Sequence, residues 1–168
     1  MKEIKIEKIT LNVGAGKDQA VLEKGMLLLK SITGIDPVKT ITKKRIPSWG
    51  LRPGLPVGCK ITIRAKDKIK DLVERCLKAK DGVLKSSCFD EGGNISFGIH
   101  EYIDVPGLEY DPKIGIIGFQ ISLTLERPGY KIKRKANKKV IGHKHMITKE
   151  EAMNFLKDNY QVNIEDGK

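Results

Sequence analysis

Cysteine, histidine, aromatic residues and long apolar runs are all scarce in this chain, and each scarcity removes a class of function. The three cysteines (Cys59, Cys76, Cys88) are odd in number and form no C-x-x-C pair. That excludes a disulfide framework and a thiolate zinc site, and suits a reducing cytoplasm. Cys76 falls on an apolar helical stripe and reads as a small buried hydrophobe. Of the three histidines, His143 and His145 flank Lys144 in a basic stretch without further ligands, which is the pattern of a surface loop and not of a metal centre. No Ser/His/Asp or Cys/His constellation can be assembled, and Glu101, Asp104, Glu109 and Asp111 are scattered without forming an acid–base pair. Aromatics make up 5% of the chain, and no strand carries the paired exposed rings of a base-stacking sheet. The most apolar segment, IGIIGFQISL (114–123), is broken by glycine and falls far short of the roughly 20 residues of a membrane-spanning helix. The start, MKEIKIEK, alternates charge with isoleucine and has neither signal-peptide nor transit-peptide character.

Negative charge is also missing, but only locally. The chain has 32 Lys and Arg against 21 Asp and Glu, a net charge of +11. Eight of those cations lie between Lys39 and Lys66 and nine between residues 127 and 149, and neither stretch contains an acidic residue. A surface that only needed solubility would mix the signs. One-signed patches neutralise the phosphates of a polyanion, and with so few aromatics the reading is structured RNA recognised through backbone and shape.

The 168 residues are enough for one buried core and are read as a single domain, 1–168. In IKIEKITLNV (4–13), Ile9, Leu11 and Val13 alternate with Lys8, Thr10 and Asn12, the pattern of a half-buried strand. Asp18 is placed to cap a helix running to about Ile32, with Gly34 just past its end. DPVKTITKK (36–44) reads as a second strand, and RIPSWGLRPGLPVG (45–58), with three prolines and three glycines, as a long restricted loop. CKITIRA (59–65) is a strand with Lys60, Thr62 and Arg64 on its polar face. Residues 67–80 form an amphipathic helix on Ile69, Leu72, Val73, Cys76 and Leu77. FDEGGNISFGI (89–99) is a turn feeding a strand, and 116–126 is another strand. A final helix starts at Thr148, with Glu151 completing a capping box and Ile147 able to staple against Ala152. The connections favour an α+β fold, a mainly antiparallel sheet with helices packed on one face and a polar side left open to RNA. The loop 45–58 and the basic segment 127–147 extend from it, and KIKRKANKK (131–139) is expected to lack order by itself.

LNVGAGKD (11–18) invites a nucleotide-binding reading, and its spacing declines it. A Walker loop needs glycine where Leu11 stands and Ser or Thr where Asp18 stands, and the dinucleotide fingerprint needs glycine at Gln19. The stretch reads as a strand-to-helix turn using glycine dihedrals. A nucleotide-dependent enzyme and a free-standing nucleic-acid regulator are the two rival functions; the first is tested by nucleotide binding and the second by sucrose-gradient fractionation.

Five ordered blocks, IEKITLNVGAG (6–16), ITGIDPVKTITKKR (32–45), LRPGLPVGCKITIRA (51–65), FDEGGNISFGIHEYID (89–104) and GHKHMITKEEAM (142–153), closely resemble the large-ribosomal-subunit family that binds 5S rRNA. This is the L-five family, called L-eleven in eukaryotes, and segment 129–147 resembles its archaeal–eukaryotic branch. The resemblance implies a cytoplasmic, non-enzymatic ribosomal protein of the central protuberance, without metal or cofactor. Its implied partners are 5S rRNA, large-subunit rRNA, peptidyl-site tRNA, the small-subunit head protein S-thirteen and neighbouring large-subunit proteins, with no membrane. It implies that Asn12, Thr62 and Arg64 face 5S rRNA. The candidate rRNA-binding set adds Lys17, Thr40, Lys43, Lys44, Lys60, Lys131, Lys133, Arg134, Lys135, Lys138 and Lys139. Arg45, Ser48, Trp49 and Arg52 form the candidate tRNA-contacting loop. Family members commonly carry glutamine where this chain has Ile35, and many have residues ahead of the first strand.

Overall fold

In the computed structural model, residues 1–136 and 140–165 are described. Five strands form one mainly antiparallel sheet: β1 (Lys5–Gly14), β2 (Val38–Ile41), β3 (Pro56–Ile63), β5 (Ile95–Ile99) and β6 (Phe119–Glu126), in the order β2-β3-β1-β6-β5. The helices are α1 (Gln19–Thr33), α2 (Lys66–Lys78) and α3 (Lys149–Tyr160). A separate parallel pair joins β4 (Val83–Lys85) to β7 (Asn163–Glu165), with Leu84 opposite Ile164. The architecture is the α+β class that the patterning indicates.

The chain divides into two compact units. The first comprises Thr10–Ile63 and Gly98–Ile121. Here the alternation of β1 and β3 buries Leu11, Val13, Cys59, Ile61 and Ile63, and leaves Lys60 and Thr62 exposed. Helix α1 lies close on this apolar side, because Gly25 removes the side chain at the contact. A Cβ there would sit 2.9 Å from Val13 Cγ1 and 3.2 Å from Cys59 Sγ. Gly58 has a similar task, since a Cβ at that position would stand 2.6 Å from the Val13 carbonyl oxygen. Gly34 ends α1 in the left-handed region, with its N–H donating to the Lys30 carbonyl at 2.8 Å.

The second unit comprises Met1–Ile9, Arg64–Phe97 and the described residues from Ser122 onward. Helix α2 buries Ile69, Leu72, Val73, Cys76 and Leu77, the stripe its spacing indicates. Burial pushes the Cys76 thiol up to about 12, so it stays a protonated core group. Helix α3 starts with a complete capping box: Glu151 N–H donates to Thr148 Oγ1, and the Thr148 N–H donates to Glu151 Oε2 at 3.1 Å. Ile147 and Ala152 are both fully buried beside it.

Several boundaries differ from the sequence reading. The second strand is four residues long instead of nine, and a bulge between Thr40 and Ile41 shifts its register with β3. Strand β3 begins at Pro56, so Pro56, Val57 and Gly58 belong to the sheet and not to the loop. Proline is tolerated there as the first residue of the strand. The basic segment 127–147 is pinned at both ends instead of projecting freely. Tyr130–Arg134 and His143–His145 are short 3₁₀ turns, and Tyr130, Ile141 and Ile147 are buried. The Tyr130 hydroxyl donates to the His145 carbonyl at 3.1 Å and accepts the Ile147 N–H at 2.9 Å. Residues 137–139, the last three of the stretch expected to lack order, lie outside the described residues.

Candidate nucleic-acid interface

The glycine turn after β1 spends its backbone donors internally. The Ala15 and Gly16 N–H groups both donate to the Val57 carbonyl, at 2.9 and 3.1 Å. A phosphate-cradling loop needs those donors aimed outward. Gly16 adopts φ +59°, and the stretch is the strand-to-helix turn its spacing indicates.

The open side of the sheet carries polar side chains that meet across neighbouring strands. Thr10 of β1 and Thr62 of β3 bring their hydroxyls to 3.4 Å. Asn12 of β1 donates through Nδ2 to Gln120 Oε1 of β6 at 3.2 Å. In the second unit, Ser96 of β5 donates to Ser122 of β6 at 3.0 Å. These groups are exposed or half-buried, so each keeps hydrogen-bonding capacity toward solvent or a ligand. Asn12 and Thr62, two of the candidate residues, thus lie on the polar side. Gln120, Ser96, Ser122 and Thr10 are additions that sequence reasoning did not assign. For Gln120 and Ser122 the signal is the alternation in FQISLTLE, whose odd-numbered positions are all buried, and Thr10 and Ser96 follow the same alternation in β1 and β5. Arg64 is exposed one residue beyond β3 and two ahead of α2. Lys60 is exposed on β3, opposite Val38 of β2.

Thr40 is half-buried, and its hydroxyl oxygen is 3.1 Å from where a Gly58 Cβ would sit. It therefore packs over the β3 backbone as well as edging the surface. Lys17, Lys43 and Lys44 are exposed, the first with its chain near Gly50.

The loop after β2 is a hairpin arm. Thr42 N–H donates to the Leu55 carbonyl, and Gly54 N–H to the Thr42 carbonyl, both at 2.9 Å. Ile46 and Leu51 exchange two bonds of 3.0 Å around a 3₁₀ turn at Pro47–Trp49. Gly50, at φ +66°, closes that turn. Trp49 is 69% exposed, and Arg45, Ser48 and Arg52 are exposed with it. Leu51 is buried, so the arm is anchored by an apolar residue within the loop itself.

The basic stretch after β6 is not uniformly free to meet phosphate. Arg127 is 5% exposed, its Nη2 is 2.7 Å from Glu151 Oε1, and its Nη1 donates to the His145 and Met146 carbonyls. It belongs to the scaffold, which removes it from the surface charge implied by the sequence. Lys133 Nζ lies 4.8 Å above the Tyr130 ring centre, and Arg134 pairs with Glu7. Lys131 and Lys135 are exposed, whereas Lys138 and Lys139 lie outside the described residues.

Two family descriptions match the chain, ribosomal protein L5 over residues 1–52 and the C-terminus of the ribosomal L5 family over residues 56–155. The large ribosomal subunit protein uL5 of Sulfurisphaera tokodaii is 44% identical, over 99% of this chain and 95% of that protein. Its namesake from Nanoarchaeum equitans is 44% identical over 98% and 97% of the two chains, and that from Methanobrevibacter smithii 41% over 97% and 96%. With both family descriptions and near full-length relatives in agreement, the chain belongs to the ribosomal protein L5 family, a family of structural, non-enzymatic ribosomal proteins.

Proposed function

We propose that the chain acts as a single domain and a structural constituent of the large ribosomal subunit in the cytoplasm, binding 5S rRNA through the polar side of its sheet. The observation that supports this most is the open amide and hydroxyl array of Asn12, Gln120, Thr10 and Thr62, with the Lys60 cation on the same strand as Thr62. Hydroxyls and amides give orientation on a duplex backbone, and lysines neutralise its phosphates. The exposed lysines at 131 and 135 extend the same chemistry to large-subunit rRNA. In this reading the small-subunit head protein S-thirteen and neighbouring large-subunit proteins complete the surroundings. A gel shift comparing 5S rRNA with an unrelated structured RNA of equal length tests the assignment; equal affinities for the two would overturn it.

Arg64 provides a sharper test. Its side chain is exposed, so Arg64→Ala should change stability by no more than about 0.5 kcal/mol. If the guanidinium meets a phosphate, the same substitution should weaken 5S rRNA binding and lower the salt slope by about 1. Lost thermal stability with unaltered affinity would make Arg64 a scaffold residue.

The hairpin arm carries the second contact of this reading, to peptidyl-site tRNA. An exposed indole between Arg45 and Arg52 suits stacking combined with phosphate contact. Because Leu51 is buried, excising Ser48 to Pro53 would remove part of the core along with the contact. The point substitution Trp49→Ala separates the two. It is expected to leave folding and 5S rRNA binding unchanged and to speed tRNA dissociation from assembled ribosomes. Unchanged tRNA retention would refute the tRNA role.

A further inference from the structure

Most of the few aromatic rings are core groups: Phe89, Phe97, Phe119, Tyr102 and Tyr130 are all buried. The rings that are not are Trp49, Tyr110, Phe155 and Tyr160. Phe155 and Tyr160 converge, both half-buried, in one cleft of about 320 Å³ on the second unit. Ile4, Ile6 from β1 and Ile69 from α2 complete its apolar lining. Three lysines stand at the rim, Lys5 and the two α2 residues Lys66 and Lys70, all exposed. Glu3, the one rim carboxylate among the described residues, is already paired with Lys5 at 3.1 Å.

We infer that this cleft receives a single unpaired nucleotide of an RNA strand, the base lying against Phe155 and Tyr160 and the flanking phosphates meeting Lys66 and Lys70. The inference rests on the RNA-binding reading above but concerns different residues. Four features favour this occupant. An apolar, ring-lined cleft with a cationic rim matches a nucleotide, which has a flat apolar face and an anionic edge. Aromatic side chains accept any base by stacking, and cations beside them track the backbone. The volume is at the lower end of the roughly 300–1,000 Å³ typical of ligand pockets, room for one base and not for a folded partner's side-chain cluster. The Asn159 side chain, also lining the cleft, donates to the Phe155 carbonyl at 2.8 Å, which leaves its amide oxygen as an acceptor for a base edge.

The test uses the full chain and a labelled, unstructured oligouridine of about ten nucleotides, followed by fluorescence anisotropy. Phe155→Ala should weaken binding about tenfold, the scale of one lost base stack, and Phe155→Tyr should restore it. The double substitution Lys66→Gln, Lys70→Gln leaves the apolar floor untouched. It should lower the slope of log affinity against log salt by about 1.4, the value for two single-strand phosphate contacts. In the same protein, 4-thiouridine in the oligonucleotide should crosslink to the peptide containing Phe155 and Tyr160. Affinity unchanged in Phe155→Ala while the lysine pair alone matters would show bare electrostatic attraction and overturn the cleft assignment. If Phe155→Ala does not fold, the lysine pair and the crosslink decide; a wild-type salt slope with no crosslink overturns the assignment. The 5S rRNA gel shift and Arg64→Ala are read separately. Preserved 5S discrimination with a failed oligouridine result removes the cleft proposal and leaves the function standing, whereas lost 5S discrimination removes the function itself.

Discussion

Raising salt from 50 to 200 mM is expected to weaken 5S rRNA binding by ~10³–10⁵-fold. That range corresponds to about 6–10 neutralised phosphates. The structure supplies cations in that number without counting those held elsewhere. Lys17, Lys43, Lys44, Lys60, Arg64, Lys131 and Lys135 are exposed, and none is in an ion pair among the described residues. Arg127 is excluded by its burial and Arg134 by its pairing with Glu7. Each contact releases counterions condensed on the RNA, so affinity falls linearly in log units as salt rises. Filter binding across a salt series measures the slope directly. A nearly flat line would mean that hydroxyl and amide contacts such as those of Asn12 and Thr62 dominate the interface.

Elements whose signal is local were legible in the sequence. The alternation of Ile9, Leu11 and Val13 marked β1, the i, i+3, i+4 spacing marked α2, and Thr148 with Glu151 marked the start of α3. The polar side of the sheet followed from the same alternation, which placed Asn12 and Thr62 correctly on their strands. What could not be read depends on distant partners. The three-residue strands β4 and β7 are too short for periodicity and pair across about 80 positions. Gln120 joins the polar array because Asn12, 108 positions earlier, lies beside it. The arm at 45–55 looked like an irregular loop since its order comes from backbone bonds between Thr42 and Leu55 and between Ile46 and Leu51. Arg127 misled for a related reason. A charged residue heading a basic run reads as surface, and only the folded chain brings Glu151 to it.

That buried pair gives the largest expected effect on stability, and the effect is asymmetric. Glu151 is 41% exposed while Arg127 is 5% exposed. Arg127→Met removes the buried member, and the surviving carboxylate can be hydrated. The remaining loss is the donor to the His145 and Met146 carbonyls, contacts of 3.4 and 3.3 Å, partly offset by the apolar side chain. Glu151→Ala does the opposite: it strands a buried guanidinium whose Nε has no hydrogen-bond partner among the described residues. It also breaks the capping box. Stranding a buried charge costs about 3–5 kcal/mol, against a total stability of roughly 5–15 kcal/mol for a native protein. Glu151→Ala should therefore lower Tm by about 10 °C, clearly more than Arg127→Met. Glu151→Gln can keep an oxygen on the Thr148 N–H but loses the charge, so it should fall between them. Acid removes the charge that both the cap and Arg127 hold in place. The Thr148 backbone N–H, and after it the Arg127 side chain, hold the Glu151 carboxyl below its usual range. A carboxyl depressed on folding stabilises fully above its unfolded pKa, and the contribution disappears as pH falls through the folded value. The stability gap between wild type and Glu151→Gln should thus be widest near neutrality and shrink toward zero in acid, as followed by denaturant unfolding at a series of pH values. A gap that stays constant with pH would show that neither the capping bond nor the Arg127 pair draws stability from the Glu151 charge.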